Sequence, residues 1–454
     1  MDHLPPLLQQ LLLQFTPWLG SAPTAHSLFT LVLGWLLCHG RHTLSAVIRA
    51  AGPHAPQSHD AYQNFFSKAQ WSMDPLWKML FLLRVRVLVW GPREAQESAV
   101  PSLWLAGDDT LAKHGGRQIG GAGLDRDAVR SSKQHTAYAW GLQWVVLALI
   151  VRLPLIKDRF IALPIYARLN PKQEAKPSST TPRRGKDKAK GRAGKKKKTT
   201  VTLMGEMIHT VAAWLPQGRF VFYGDGAYAC LAGQMPENVV LISRMRCDAA
   251  LDAPPPNRSR KPGRPAKKGR RLPSPQQMAG LVGRRWRPGQ IDLYGKIEDR
   301  QLYAFTALWY EACPDRLVRI VIVRDPQGQA EDEYFFTTDL DLSPQQIVFC
   351  DTGRWAIEVT FRETKQYLGL EDPQVRKQKA VLRITPFCLW LNSVVKFWFV
   401  LESRTAQPEL PENDSWYAHK DTISFQDMVG AIRLHFWRDY IFAGSTSQAD
   451  TTKI

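Results

Sequence analysis

The sequence predicts an α/β protein with a helical N-terminal region and a β-rich stretch inserted ahead of a second helical block. Three observations lead there. Apolar residues recur at three- and four-residue spacing over the first 95 positions, through Leu28, Leu31 and Trp35 and then Trp77, Phe81, Val85 and Leu88. From Leu103 the texture changes to apolar runs of strand length, two of which lead into aspartate. Between 293 and 338 the chain is rich in Val, Ile, Tyr and Phe, before helical spacing resumes at Ser343. At 454 residues the chain is too long for one simple core and should divide into several units.

In chain order, Ser27 to Cys38 reads as a buried helix, and Leu103 to Asp108 as a short strand ending in acid. Tyr138 to Val151 and Arg159 to Leu169 read as two buried strands, a hairpin turning near Pro154 to Asp158. Pro171 to Thr200 is a Lys/Arg/Gly/Ser/Thr/Pro segment of low complexity, expected to be disordered. A helix is expected from Leu203 to Trp214, then a strand Phe220 to Gly224 leading into Asp225, and another at Val239 to Arg244. Leu293 to Tyr310, Arg316 to Arg324 and Glu333 to Thr338 read as strands. Ser343, Pro344 and Gln346 then form a helix start with a capping box. Gly353 is expected to break that helix before Arg354 to Leu368. Pro386 to Leu401 reads as a buried helix, and Met428 to Ile441 as an amphipathic patch in a polar tail.

The net charge of +19 is unevenly placed. Residues 172–198 carry +10 and residues 258–271 carry +8, so the remainder is nearly neutral. Two flexible basic runs on a neutral body suit a polyanion, because each cation that meets a phosphate releases counterions. A solubilising loop is the plainer reading of either run alone. The six cysteines are scattered, with no Cys-x-x-Cys pair, so neither structural zinc nor a disulfide framework is indicated. No signal peptide is expected, and the longest apolar runs, Ser27 to Cys38 and Trp144 to Val151, are too short to span a bilayer.

Three acidic positions stand out. Asp108 and Asp109, followed by Thr110, close one apolar strand; Asp225 closes another inside Phe-Tyr-Gly-Asp-Gly; Glu358 lies on the expected helix. Carboxylates fixed by a sheet can hold hard divalent cations that clamp the two oxygens of an in-line phosphoryl displacement. A strand-closing turn is the plain reading of each aspartate alone. Arg354, Glu358, Phe361 and Lys365 are offset by 0, 4, 7 and 11 residues. At about 100° per residue they fall within roughly 60° of one another, on one helix face. Glu363 points off that face. His114 and His135 read as isolated polar loop residues, and the nearby glycines do not build a nucleotide-binding loop.

Strand-Asp, strand-Asp-Gly and Arg-Trp-x-Ile-Glu-x6-Lys together resemble the bacterial insertion-sequence DDE transposases of the RNase H-like superfamily. The closer similarity is to the group with a Tyr-x2-Arg-x3-Glu-x6-Lys signature and a β-rich insertion before the glutamate. The resemblance runs from about Leu103 to Lys396. It implies an RNase H-like catalytic core with an inserted β-rich domain and a helical N-terminal domain. It implies Asp108, Asp225 and Glu358 as catalytic metal ligands for two magnesium ions, with manganese able to substitute. Asp109 is the alternative to Asp108; the family's order of Asp, one residue, Thr favours Asp108, and in a strand only one of the two can face the site. Arg354 and Lys365 would contact DNA phosphate. The family's tyrosine position falls on Asp351, which would repel a phosphate.

The divisions expected are 1–95, a helical region for DNA binding or dimerisation; 96–238, the first part of the core, with the basic loop 171–200; 239–344, the β-rich insertion, with the basic loop 254–275; 345–405, the second part of the core; and 406–454, a partly helical tail. Lys195, Lys196, Lys197 and Lys198 in one loop, and Lys261, Arg264, Lys267, Lys268, Arg270 and Arg271 in the other, are the expected DNA-binding residues. Gly263-Arg264-Pro265 is thin enough to lie in a narrow minor groove. Tyr334, Phe335 and Phe336 are candidates to stabilise a flipped base, with core packing the plainer reading. The resemblance implies cut-and-paste transposition, by a homodimer on double-stranded DNA in the bacterial cytoplasm, at element ends and target. The rivals are a transposase-derived DNA-binding protein that no longer cuts, and a metal nuclease without strand transfer.

Overall fold

The computed structural model describes residues 3–89, 102–153, 159–172, 198–256, 266–293, 296–412 and 422–451, apart from positions 117, 128 and 133, with side chains in the last helix described to Tyr440. Five helices open the chain: α1 (Pro6–Leu13), α2 (Ala22–Leu37), α3 (Leu44–Ala51), α4 (His59–Ser67) and α5 (Met73–Arg84). Ser21, Thr43, Ser58 and Ser72 each accept a backbone N–H at the start of α2, α3, α4 and α5, satisfying donors a helix start leaves open. From Ser27 onward α2 is buried all round, as its apolar composition requires.

The strands form one sheet. β1 (Leu103–Lys113) pairs antiparallel with β3 (Tyr138–Leu153), which pairs antiparallel with β4 (Arg159–Asn170) and, at its start, with β2 (Gly123–Arg126). On its other side β1 runs parallel to β5 (Phe220–Gly224), and β5 parallel to β6 (Val239–Arg244). α6 (Thr200–Trp214) makes the crossover between β4 and β5. The β-rich segment extends this same sheet. β10 (Glu333–Thr337) pairs with β6, and β9 (Val318–Arg324), β8 (Lys296–Ala307) and β7 (Arg287–Leu293) follow outward, all antiparallel. Val239–Arg244, assigned from the sequence to the insertion, is thus the strand that joins the two halves. A short helix α7 (Pro275–Leu281) precedes β7.

α8 (Pro344–Leu368) lies across the sheet, touching β1, β3, β4 and β5, and β7, β8 and β10 of the extension. Its capping box forms: Ser343 Oγ accepts from Gln346 N at 3.2 Å, and Gln346 Oε1 from Ser343 N at 2.9 Å. Gly353 does not break it. A glycine costs a helix about 1 kcal/mol, and here α8 packs Gly353 directly over Ile150 and Phe160, so tertiary contact overrides the local preference. α9 (Gln378–Thr405) is buried between β4 and the N-terminal helices. It is long and apolar enough to cross a membrane, but 94% of its apolar window is covered by the rest of the molecule. Residues of α1 to α5, the sheet, α9 and α10 (Phe425–Thr451) share one continuous core. The helical region is tied in by Trp35, whose indole donates to Leu368 O at 2.9 Å, and by Arg383, whose guanidinium donates to Phe65, Phe66 and Ala69 carbonyls.

Candidate active site

β1 and its parallel neighbour are unequal in length. Their register ends at Gly107 opposite Gly224, where β5 stops. The sequence predicts that β1 ends at Asp108 too, but Thr110 and Ala112 remain buried and paired to Trp144 and Leu142 through Lys113. The result is a notch: Asp108 is the first β1 residue past its parallel partner, and Asp225 the first residue past β5. Asp225 accepts the Gly226 N–H on Oδ1 at 2.7 Å, and its carbonyl accepts Ser243 Oγ at 3.0 Å. Ligands gather at such strand ends because the backbone there is fixed by the sheet while the side chains are free of it.

Alternation along β1 separates the acidic pair. Trp104 packs on Phe349 of α8, and Asp108, four residues on, faces the same helix. Arg354 Nη1 lies 3.3 Å from Asp108 Oδ2 and 3.2 Å from Glu358 Oε1, so one guanidinium bridges the two carboxylates. Asp109 points to the opposite face, where Gln143 Nε2 donates to it at 2.8 Å and Asn170 Nδ2 donates in turn to Gln143 Oε1 at 2.8 Å. Asp108 and Glu358 are brought together through Arg354. Asp225 follows the end of β5, where Gly224 stands opposite Gly107, and its charge acts on Asp109, which faces away from α8.

The electrostatics follow from crowding. Burial pushes the Asp108 carboxyl up to about 7; Asp109 and Glu358 add to this, while the Asp109 N–H and Arg354 oppose it. Burial raises Asp109 as well, with Asp125 and Asp225 contributing. Burial works against charge on Arg354, yet Asp108 and Glu358 hold its pKa above the ordinary value. Tyr228 is buried beneath the notch. Burial raises its phenol, as do Asp109, Asp108 and Asp225, and its hydroxyl has no hydrogen-bond partner among the described residues. Carboxylates pressed together over an unpartnered hydroxyl, with one arginine between them, fit a site for a hard divalent cation. Among the described residues no three such side chains close to ligand distance.

Asp351, at the signature's tyrosine position, does not face the notch as a bare charge. Arg244, the last residue of β6, donates to it at 2.8 Å through Nη2 and also meets Glu333 at 3.0 Å; the buried Tyr223 hydroxyl donates to Asp351 as well. The Asp351 hydrogen bonds, then its charge and Glu333, raise Arg244 further, although burial opposes this. Burial, then Asp351, holds the Tyr223 phenol protonated. Sequence reading missed Arg244 and Tyr223. The available signal was position: each stands at or beside the end of a strand parallel to β1, as Asp225 does.

The remaining expectations fare differently. Lys365 donates to Leu111 O at 2.9 Å and pairs with Glu371 at 3.1 Å. Glu363 leaves the Glu358 face and pairs with the buried Lys396 at 2.7 Å. Phe335 and Phe336 are fully buried and Tyr334 half-buried, so the two phenylalanines pack the core. Lys195, Lys196, Lys197, Lys261, Gly263, Arg264 and Pro265 lie outside the described residues. Lys198 pairs with Glu206, and Lys268 and Arg271 with the buried Asp252; Lys267 and Arg270 are exposed. His114 is buried at the end of β1, with neither ring nitrogen partnered among the described residues, rather than in an open loop. The cause is β1's extra length, which carries the histidine into the body.

Two families match the chain. Residues 14–292, more than half of it, match the family described as DDE superfamily endonuclease. Residues 309–405, which contain the Glu358 helix, match the one described as archaeal putative transposase ISC1217. No curated protein matches the chain.

Proposed function

Since the chain belongs to the DDE superfamily endonucleases, we propose that it is a DNA transposase that cleaves element ends and joins them to target DNA, with Asp108, Asp225 and Glu358 as its catalytic carboxylates. The observation that carries this is the bridge from Asp108 through Arg354 to Glu358, at the notch where Asp225 leaves the neighbouring strand. Strands β4, β3 and β1 antiparallel, β5 and β6 parallel to β1, and α8 across one face support an RNase H-like core. Asp108 is preferred over Asp109 because it shares the α8 side of β1 with Glu358.

Asp108, Glu358 and Asp225 would hold magnesium, which when bound neutralises the scissile phosphate and stabilises the attacking and leaving oxygens. The chain's own residues do the positioning. A guanidinium has five donors, so Arg354, while fixing Asp108 and Glu358, keeps others for a phosphate oxygen. Arg244, anchored by Asp351 and half-exposed beyond Asp225, offers a second forked donor set. Asp351 thus serves as a positioning residue, removing the repulsion expected of it from sequence. Homodimeric action on two element ends is part of the proposal.

Supercoiled-plasmid nicking and strand transfer with Mg²⁺ test this reading. Glu358→Ala should lose cleavage by about a thousandfold or more, the scale seen when a residue acting on the transition state is removed, while retaining DNA binding. Wild type as inert as Glu358→Ala, with both binding DNA, would favour a binding protein that no longer cuts. The ion pairs that occupy Arg354 and Lys365 are the observation on that side. Cleavage without joining would favour a nuclease.

A further inference from the structure

β2 and the first residues of β3 form a two-stranded ribbon that continues past the end of β1. Leu124 stands opposite Trp140, and Arg126 opposite Tyr138. By alternation all four side chains lie on the side of the sheet that carries Asp108 and α8. This outward face is open: Leu124 is 59% exposed, Tyr138 61% and Trp140 36%, and Arg126 is exposed too. The reverse face is closed, with buried Asp125 paired to Lys172 and buried Asp127 to Lys113. Acids therefore sit behind the ribbon and leave its front basic. Among the described residues neither Arg126 nor the nearby exposed Arg130 has an ion-pair partner. The ribbon begins level with Lys113, which pairs with Gly141 as Gly123 does, five residues along β1 from Asp108.

We propose that this ribbon face is a DNA-binding surface, on which Arg126 and Arg130 contact phosphates and Tyr138 and Trp140 contact the duplex flanking the cleavage point. The proposal rests on the DNA-cleaving reading and adds a surface to it. A two-stranded ribbon is narrow enough to enter a major groove. Aromatic residues beside exposed arginines suit a polyanion with apolar base edges. A second copy of the chain fits less well, because a twofold contact through this patch would set Arg126 and Arg130 against their own images.

The test is binding of a labelled mixed-sequence duplex by the full chain, by fluorescence anisotropy across about 50 to 200 mM salt, where each lost phosphate contact lowers the log–log slope by about 0.9. Arg126→Ala/Arg130→Ala should flatten that slope by about 2. Tyr138→Ala should weaken binding about fivefold with the slope unchanged, as loss of one aromatic contact would. Each variant is paired with its molar mass by light scattering. Unchanged affinity and slope in both variants, with wild type binding normally, overturns the ribbon and leaves the cleaving reading intact. A change of oligomeric state with unchanged DNA affinity assigns the face to a second copy and also overturns it. No binding by wild type removes both.

Discussion

Asp108 is where the cost of the site falls. Its carboxyl titrates near 7 because burial and two neighbouring carboxylates disfavour the charge. A folded pKa above the unfolded one means that the native state holds a proton the unfolded chain has released, so stability falls as pH rises from about 4 to about 7. Asp108→Asn removes this penalty. Without divalent metal it should melt like wild type near pH 4 and exceed it at pH 8 by up to about 4 kcal/mol, less what the lost Arg354 contact costs. Equal melting across that range would show that Asp108 is not strained. Asp351 behaves oppositely, since Arg244 and the buried Tyr223 hydroxyl depend on it. Asp351→Ala should lower stability by about 1–2 kcal/mol, chiefly by leaving Tyr223 without an acceptor, and an unchanged urea midpoint would contradict that role. These two residues also mark what sequence could tell. The placing of Asp108 on an apolar strand was legible in the sequence, but its separation from Asp109, and the strand's continuation past both, needed the actual pairing and face. The partner of Asp351 comes from a strand over a hundred residues away, and nothing local announces it.

Among the elements, α8 does most of the assembly: one continuous helix presents Asp351, Arg354 and Glu358 to three different strands. Its start was readable from Ser343, Pro344 and Gln346, because capping is local chemistry. Its continuity was not, because Gly353 looks like a breaker until Ile150 and Phe160 are placed against it. A methyl group there would stand 3.5 Å from Ile150 and 3.6 Å from Phe160, in ordinary contact. Gly353→Ala should therefore stabilise the protein by about 0.5–1 kcal/mol through helix propensity and unfolded-state entropy. A loss of stability in thermal melts would mean that the close approach is required. The strand endings were misread for a related reason: β1 outruns Asp108 because β3 offers it pairing, and that pairing lies outside the local pattern.

At the scale of the molecule, the body is nearly neutral and the excess positive charge lies in two runs. Deleting residues 173–197, which spares the Thr199 cap of α6, should weaken duplex binding and flatten its salt dependence by several units, if those cations release counterions. An unchanged slope would make the run a bystander. The β-rich segment reads from sequence as a separate insertion, whereas its strands prolong the sheet of β1, β5 and β6. Strand composition reveals strands but not whose edge they join. The proposed function requires one arrangement, in which residues from β1, the end of β5 and α8 would share a divalent cation. The most direct measurement is a crystal grown with Mn²⁺ and examined by its anomalous scattering. The account predicts an ion bound by Asp108 together with Asp225, Glu358 or both, and lost in Glu358→Ala. Full Mn²⁺ loading with density only elsewhere, or no ion among these carboxylates, would contradict it.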